Sequence, residues 1–303
     1  MDGIRYLRHD EIDTTRWDRA MLAAVNGNLY GWSWYLDAAC PGWDALVAGD
    51  YQAMMPLPLR KKLGITYLYQ PYFMQQTGIY SLQSLSPGTT PRFLSALPPH
   101  IRYADYNLNF HNLPSGGDFT FVRNTTYHLD LIPEYPLLRR NFPENTRRNI
   151  KKAAQAGVTI SKGMQINTLI RFKQNTAATK ISDAEYDKLR QIVSRAVLKG
   201  AGVIYGAYTA SNELCAAAFF AFSHEYVYML VAASDAAGKE NSAMFLLVDT
   251  FLQEHAGRVL TLDFEGSNIP GIARFFAGFG AMPVYYYKVR MNRLPFLIKW
   301  LKK

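Results

Sequence analysis

The sequence contains few cysteines and few histidines. Cys40 and Cys215 are its two cysteines, and its six histidines show none of the spacings typical of metal ligands. A disulfide framework is therefore not expected, and so few cysteines are typical of a reducing compartment. We also predict that the protein holds no metal ion.

Long apolar runs are lacking as well. The longest, Leu214–Phe222, is far shorter than the ~20 residues that cross a bilayer. The N-terminal stretch MDGIRYLRHDEID is polar and acidic, which is unlike a secretory signal peptide. These two absences predict a cytoplasmic protein without a transmembrane segment.

Apolar, aromatic and basic residues are plentiful. Of the 303 residues, 49% are hydrophobic and 14% are aromatic, which predicts a folded globular protein, and the length favours two lobes. The net charge is +9, from 33 Lys and Arg against 24 Asp and Glu. Six basic residues lie between Arg139 and Lys152, and six more lie between Lys288 and Lys303. A surface of this kind attracts phosphate groups, although it is also compatible with a solvated helix face.

Strand-like and helix-like patterns alternate along the chain. A strand, strand, helix, strand order occurs in the N-terminal half and again in the C-terminal half, which indicates a duplicated α/β unit with mixed sheets flanked by helices. Between the halves, Asn141 and Glu144 have the spacing of a capping box, so we expect a helix from there to Ala156.

Two acidic residues stand at the end of a predicted strand. Leu260, Leu262 and Phe264 alternate with Thr261, Asp263 and Glu265, so the polar trio is expected on one face of the strand. Gly266 ends the strand, and a short helix is predicted to begin at Pro270. Polar groups at the carboxyl end of a strand are where open α/β sheets tend to bind ligands.

Two segments resemble a known family. The stretch TRRNIKKAAQAGVTI (Thr146–Ile160) is similar to the signature that joins the two halves of FemABX-type proteins, and LDFEGSNIPGIARFFAGFGA (Leu262–Ala281) is similar to their late strand and helix. The resemblance implies two lobes with the fold of GNAT acyltransferases, which we expect at 1–140 and 141–303, with the acyl-donor site in the second. It also implies transfer of an acyl group from acyl-CoA or aminoacyl-tRNA to an amine.

The segment before the long C-terminal helix differs from that of acetyl-CoA users. Where those proteins have a glycine-rich loop, this chain has SDAAGKENSAM (Ser234–Met244), with one glycine. A helix start can still hold an anion on its backbone amides. The candidates for binding the donor phosphates are Gly238, Lys239, Asn241 and Ser242. The alternative is an ordinary capped helix start.

The predicted chemistry is aminolysis, which needs a proton acceptor for the amine. Glu265 is the candidate base, and Asp263 would raise its pKa by repulsion between like charges. Tyr287 on the last strand is a candidate proton donor to the leaving group. The alternatives are strand-end acids that only cap the next helix, and a tyrosine that only packs in its strand.

The candidate substrate-binding residues share one face of the helix after Asn141. They are Arg147, Arg148, Lys151 and Lys152, and they could bind tRNA or a phosphorylated acceptor. The alternative is a solvated face. The basic amphipathic tail at 296–303 could touch anionic lipid or dock on its own fold.

The preferred interpretation is a GNAT-type N-acetyltransferase that moves an acyl group, acetyl being the first choice, from acyl-CoA to an amine acceptor. The second is a FemABX-type enzyme that adds an amino acid from aminoacyl-tRNA to a cell-wall precursor. The third is a non-catalytic binding module with the same fold.

Overall fold

A computed structural model describes residues 3–114, 119–266 and 268–295 of the chain. The chain forms two compact units: Met1–Asn124 with Tyr285–Lys303, and Thr125–Val284. Helices flank mixed β-sheets, as the sequence predicted. The first unit therefore combines the start of the chain with the last strand, whereas the predicted lobes 1–140 and 141–303 are each continuous.

Within the described residues, the first unit contains three helices and nine of the strands in whole or in part. The helices are α1 (Thr14–Ala23), α2 (Ser33–Ala39) and α3 (Thr89–Ser95), with 3₁₀ turns at His9–Glu11 and Leu29–Gly31. The strands before α3 are β1 (Ile4–Leu7), β2 (Asp44–Ala48), β3 (Ala53–Leu57), β4 (Leu59–Lys62), β5 (Ile65–Leu68) and β6 (Tyr80–Ser81). The strand after α3 is β7 (Ile101–Asn107), and the chain enters and leaves the other unit through β8 (Thr120–Asp130) and β14 (Met282–Asn292).

Two sheet segments build the first unit. One is antiparallel, with the order β1-β2-β3-β6, and the other has the order β4-β5-β7-β14. In the second segment β5 and β7 are parallel neighbours, and α3 lies between them in the chain. Strands β3 and β4 follow each other directly in the chain, with Pro58 between them.

The second unit contains the strand, strand, helix, strand order that the sequence predicted. Its helices are α4 (Tyr135–Arg140), α5 (Glu144–Gln155), α6 (Ile166–Thr176), α7 (Asp183–Leu198), α8 (Ala236–Glu240), α9 (Ala243–His255) and α10 (Pro270–Ala277). Besides part of β8, its strands are β9 (Thr159–Lys162), β10 (Gly202–Tyr208), β11 (Leu214–Ser223), β12 (Tyr226–Ser234) and β13 (Thr261–Asp263).

The sheet of the second unit has the order β8-β13-β12-β11-β10-β9. Its one parallel pair among the described residues is β12 with β13, and α9 is the crossover between these two strands. The first unit repeats this arrangement with β5, α3 and β7, which agrees with the predicted duplication of an α/β unit.

The capping box predicted at Asn141 is wrong. Asn141 is the C-cap residue of α4, a helix that the sequence patterns did not predict. Helix α5 begins at Glu144 with Pro143 as its N-cap residue, and no side chain caps it. Its predicted end is confirmed, since Gly157 has a φ of +71°, a left-handed conformation that glycine adopts without strain.

Each unit has its own apolar core. In the second, Leu247, Val248 and Phe251 of α9 pack against the sheet beside Phe220 and Leu262. These residues form an apolar face along α9. Over the described residues, no helix combines the length and the hydrophobicity needed to cross a membrane.

Candidate acyl-donor site

Beyond Tyr228, strand β12 has no neighbouring strand on its β13 side among the described residues. Its parallel pairing with β13 covers Tyr226–Thr261, Val227–Leu262 and Tyr228–Asp263. There β13 ends, whereas β12 continues to Ser234. The sequence predicted a longer strand, from Leu260 to Glu265. Because β13 ends early, the backbone groups of β12 beyond Tyr228 face a gap on this side, where a ligand can reach them.

A cavity of about 430 Å³ opens along this edge. Residues of β12, the α8 segment, the start of α9 and one face of α10 line it: Met229, Ala232, Ala233, Ser234, Gly238, Lys239, Ser242, Met244, Phe245, Gly271, Ile272, Phe275 and Phe276. Three of the four predicted donor-binding residues thus share one cavity with the edge of β12. Asn241 is not among the lining residues.

A second cavity of about 620 Å³ lies next to the first and shares Phe245, Gly271 and Phe275 with it. The rings of Phe245 and Phe275 meet edge to face, 4.7 Å apart, at the place the two cavities share. Asn145 and Thr146 of α5 line the second cavity from its other side. Helix α5 and the first cavity are therefore neighbours.

The amides of the predicted phosphate loop are already used within the protein. Gly238 donates its N–H to Asp235 Oδ1, and Lys239 donates its N–H to the carbonyl of Asp235. Asn241 and Ser242 donate their N–H groups to the carbonyls of Ala237 and Lys239. A pyrophosphate group would therefore depend on the start of α9 and on the Lys239 side chain.

Close packing against the sheet requires glycine at position 238. A Cβ there would lie 2.0 Å from the carbonyl oxygen of Cys215 on β11, which no side chain can tolerate. The single glycine of this loop therefore allows α8 to approach the sheet closely. The sequence alone did not distinguish this role from phosphate binding.

A hydrogen bond joins the start of α9 to α5. Ser242 is the N-cap residue of α9 and has a left-handed φ of +56°. Its hydroxyl donates to Asn149 Oδ1 of α5 at 2.9 Å. Lys152 lies three residues after Asn149 on α5, a spacing that places the two side chains next to each other on the helix surface.

The predicted basic face of α5 is present. Arg147, Arg148, Lys151 and Lys152 are all exposed, whereas Ile150 and Ala153 face the core. Arg148 donates to Asn145 Oδ1, a residue that lines the second cavity. The face therefore forms an exposed basic surface beside the two cavities.

Asp263 is not exposed at the strand end. Its side chain is about 2% exposed and accepts hydrogen bonds from the Thr126 hydroxyl and from the N–H of Glu265. His128 Nε2 lies 3.3 Å from its other oxygen. The Thr126 hydroxyl also accepts from the N–H of Gly266. These bonds hold the turn after β13, so the geometry favours a structural role for Asp263.

Thr126 and His128 did not emerge from the sequence reasoning. They lie on β8, which pairs antiparallel with β13 at His128–Asp263. Thr126 and His128 stand two residues apart, so a strand at this position places both side chains on one face, and this spacing was the available sequence signal for them.

Glu265 has an unusual environment. Its φ is +61°, so the alternation of the strand does not continue to it and it need not share the face of Asp263. Its Oε1 atom is buried and has no hydrogen-bond partner among the described residues. Burial raises the pKa of Glu265 to about 8. The pKa of Glu265 is therefore raised, as the sequence predicted, but the cause is loss of solvent and not repulsion from Asp263.

Glu265 does not line either of the two cavities described above. Its assignment as the catalytic base stays a prediction. Such a role would require a water molecule between the carboxyl and the amine, because the carboxyl does not contact the cavity itself.

The remaining predicted residues lie elsewhere. Tyr287 is half-buried on β14 in the first unit, and its carbonyl accepts from the N–H of Leu108. The basic tail from Phe296 onward lies outside the described residues. In the described ranges, no group of three or more His, Cys, Asp or Glu side chains has the arrangement of a metal site.

The comparisons with known proteins agree with the fold. Residues 140–275 match the family model of the acetyltransferase (GNAT) domain. The crystal structure of FemX is similar at a TM-score of 0.69 and 12% identity, and the match covers 99% of this chain and 100% of that one. No curated protein sequence matches the chain.

Two further structures are similar. L-PGS from Bacillus licheniformis has a TM-score of 0.54 at 12% identity, covering 95% of this chain and 94% of that one. The C-terminal domain of a putative lysylphosphatidylglycerol synthetase from Agrobacterium fabrum has a TM-score of 0.55 at 11% identity, and the match covers 92% of this chain and 91% of that one. These likenesses confirm the GNAT-type fold and the resemblance to FemABX-type proteins.

Proposed function

We propose that this chain, which carries a GNAT domain and has the fold of FemX, is an acyltransferase that moves an acyl group from a polyanionic carrier to an amine. The observation that carries the proposal is the cavity along the edge of β12 beyond Tyr228, next to the exposed basic face of α5. The edge can hold the acyl carbonyl, and the basic face can attract the phosphates of the carrier.

The chemistry follows from this placement. The amine attacks the carbonyl carbon, a C–N bond forms, and the bond from that carbon to the carrier breaks. Backbone N–H groups on the open edge of β12 stabilise the negative oxygen of the tetrahedral intermediate. The amine proton passes through water to Glu265, and the leaving atom of the carrier takes a proton from the solvent.

Aminoacyl-tRNA is the carrier that we favour. All four predicted loop residues already use their backbone amides within the protein, so these amides are not free to bind the pyrophosphate of CoA. The four exposed basic residues of α5 instead offer a wide surface for a nucleic-acid backbone. The fold neighbours FemX and L-PGS add weight to aminoacyl transfer, which the sequence had ranked second.

Acyl-CoA is the second candidate, and one observation favours it. The part of the chain that matches the acetyltransferase domain, 140–275, contains Lys239, the start of α9 and every lining residue of the cavity except Phe276. A CoA phosphate could bind to Lys239 and to the helix start. N-acetyl transfer, the first choice from the sequence, belongs to this candidate.

Two binding experiments separate the candidates. Calorimetry measures heat on titration with CoA, and filter retention measures complexes with uncharged and with charged tRNA. We expect retention of tRNA that falls as salt is added and no heat at millimolar CoA. Heat on titration with CoA, without retention of tRNA, would show that acyl-CoA is the carrier and not aminoacyl-tRNA. Binding of neither carrier would refute acyl transfer and favour a non-catalytic module.

A further inference from the structure

The donor cavity is apolar along most of its wall. Its inner end is lined by Met229, the first residue of β12 beyond the last pair with β13, and by Phe276, and both are buried. Ile272, Phe275 and Phe276 stand three and four residues apart on α10, so one face of this helix covers the cavity. Met244 and Phe245 of α9 line it as well.

Within the described residues, the charged side chains that line the cavity or bond to its lining residues are those of Lys239, Lys173 and Asp235, whose carboxylate accepts from the N–H of Gly238 outside the lining. Among its lining residues in the described part of the chain, none has a carboxylate, and Lys239 is the charged one. Lys173 of α6 donates from Nζ to the carbonyl of Ala232, a lining residue, at 2.9 Å. A cation that entered the cavity would meet two ammonium groups and a carbonyl that is already bonded. An unpaired charge in such a place is costly.

The size of the cavity also favours a bulky apolar group. At about 430 Å³ it lies in the range of sites that enclose whole small molecules, ~300–1,000 Å³. An acetyl group has two carbon atoms and would leave most of this apolar wall uncovered. A larger apolar group would cover it, and each additional buried CH₂ favours binding.

We infer that the cavity selects an acyl group whose side chain or tail is bulky, apolar and uncharged, and that Ile272, Met229 and Phe276 determine this specificity. The inference rests on the proposed function, because it concerns the group that the carrier delivers. It holds for either carrier, and it predicts discrimination against cationic groups such as lysyl.

The test keeps the carrier constant and varies the acyl group. One tRNA is prepared with a 3′-amide-linked leucyl group, with a 3′-amide-linked lysyl group, and uncharged. In parallel, a hexyl thioether of CoA is compared with a 6-aminohexyl thioether and with free CoA. We expect the leucyl or hexyl form to bind at least about 10-fold tighter than its cationic counterpart, as a lost apolar contact together with an unpaired charge would produce.

A matched pair of variants on α10 locates the effect. Ile272 is 41% exposed and lines the cavity, whereas Ile269 is 60% exposed on the same helix start and does not line it. Ile272→Glu supplies a carboxylate at the wall, so we expect the leucyl-to-lysyl affinity ratio to fall several-fold. Ile269→Glu should leave the ratio unchanged. Both side chains are partly exposed, so neither change should prevent folding.

The outcomes distinguish the inference from the proposed function. Equal affinity for the leucyl, lysyl and uncharged forms would overturn the inference and leave carrier binding intact. An equal effect of the two glutamate variants would overturn the assignment of Ile272. Absence of binding to every tRNA and every CoA compound would overturn the proposed function and the inference with it.

Discussion

Replacing Glu265 by glutamine tests the most unusual titratable group of the second unit. The carboxyl has an ordinary pKa of 4.5, and burial raises this pKa to about 8. Its Oε1 atom has no hydrogen-bond partner among the described residues. Glutamine keeps the size of the side chain and cannot ionise, so Glu265→Gln removes the titration and little else.

The pH dependence of stability follows from the two pKa values. Below pH 4.5 the carboxyl is protonated in both the folded and the unfolded protein. Between pH 4.5 and about 8 the unfolded chain ionises while the folded protein stays protonated, so the free energy of unfolding falls as the pH rises. Above about 8 both states are ionised and the fall stops. At about 1.36 kcal/mol for each pH unit, the full loss amounts to at most about 5 kcal/mol.

Urea denaturation from pH 5 to pH 8.5 measures this loss. The difference between the variant and the native protein isolates position 265, because the other titrating groups cancel. We expect the two proteins to be similarly stable at pH 5 and the variant to gain on the native protein up to about pH 8. Glu213→Gln, at an exposed turn position, is the matched control and should run parallel to the native protein.

Turnover distinguishes a catalytic carboxyl from a structural one. If Glu265 accepts the amine proton, the rate should rise up to about pH 8, and Glu265→Gln should lower it by ~10²-fold there. A variant with the predicted gain in stability and undiminished turnover would show that the carboxyl is structural. Parallel stability curves for the variant and the native protein would refute the reasoning about burial altogether.

Three further predictions follow from the second unit. Arg148→Ala with Lys152→Ala should leave the melting temperature nearly unchanged and weaken tRNA retention at low salt, and this loss should shrink as salt is added. Arg171→Ala with Lys199→Ala removes two other exposed basic residues and should leave tRNA retention unchanged. Gly238→Ala should lower the free energy of unfolding by ~1–3 kcal/mol or more, because its Cβ would meet the Cys215 carbonyl. In the control Gly271→Ala, the added Cβ has no neighbour within 4 Å, so the free energy of unfolding should not fall in this way. Thr126→Val removes a donor to the buried Asp263, and a cost of ~1–3 kcal/mol is expected in the same denaturation assay. Unchanged tRNA retention in the first variant, or unchanged unfolding in the others, would contradict the assigned contacts.

Several features of the protein were predictable from local patterns. The strand, strand, helix, strand order of each half and the short helix that begins at Pro270 occur as the sequence predicted. Side-chain periodicity is a property of the backbone of one element, so it can be read without knowledge of the partner. For the same reason the basic face of α5 was predicted with all of its members.

Other features depend on residues far apart in the chain. Thr126 reaches Asp263 across 137 positions, and the last strand joins the first unit through β7. Each pairing is chosen by packing and by burial of backbone groups, which the local sequence does not encode. The predicted alternation from Asp263 to Glu265 failed because the backbone turns left-handed after the strand.

The sequence by itself therefore determined the element order, the α/β class and the residue types of the site, since these follow from periodicity and local geometry. Only the tertiary structure decided what each residue of the site can do. It showed that the Gly238 amide is used internally, that Asp263 is a buried acceptor, and that Glu265 has lost its solvent. The physical reason is that hydrogen-bond partners and desolvation depend on the neighbours that folding brings together.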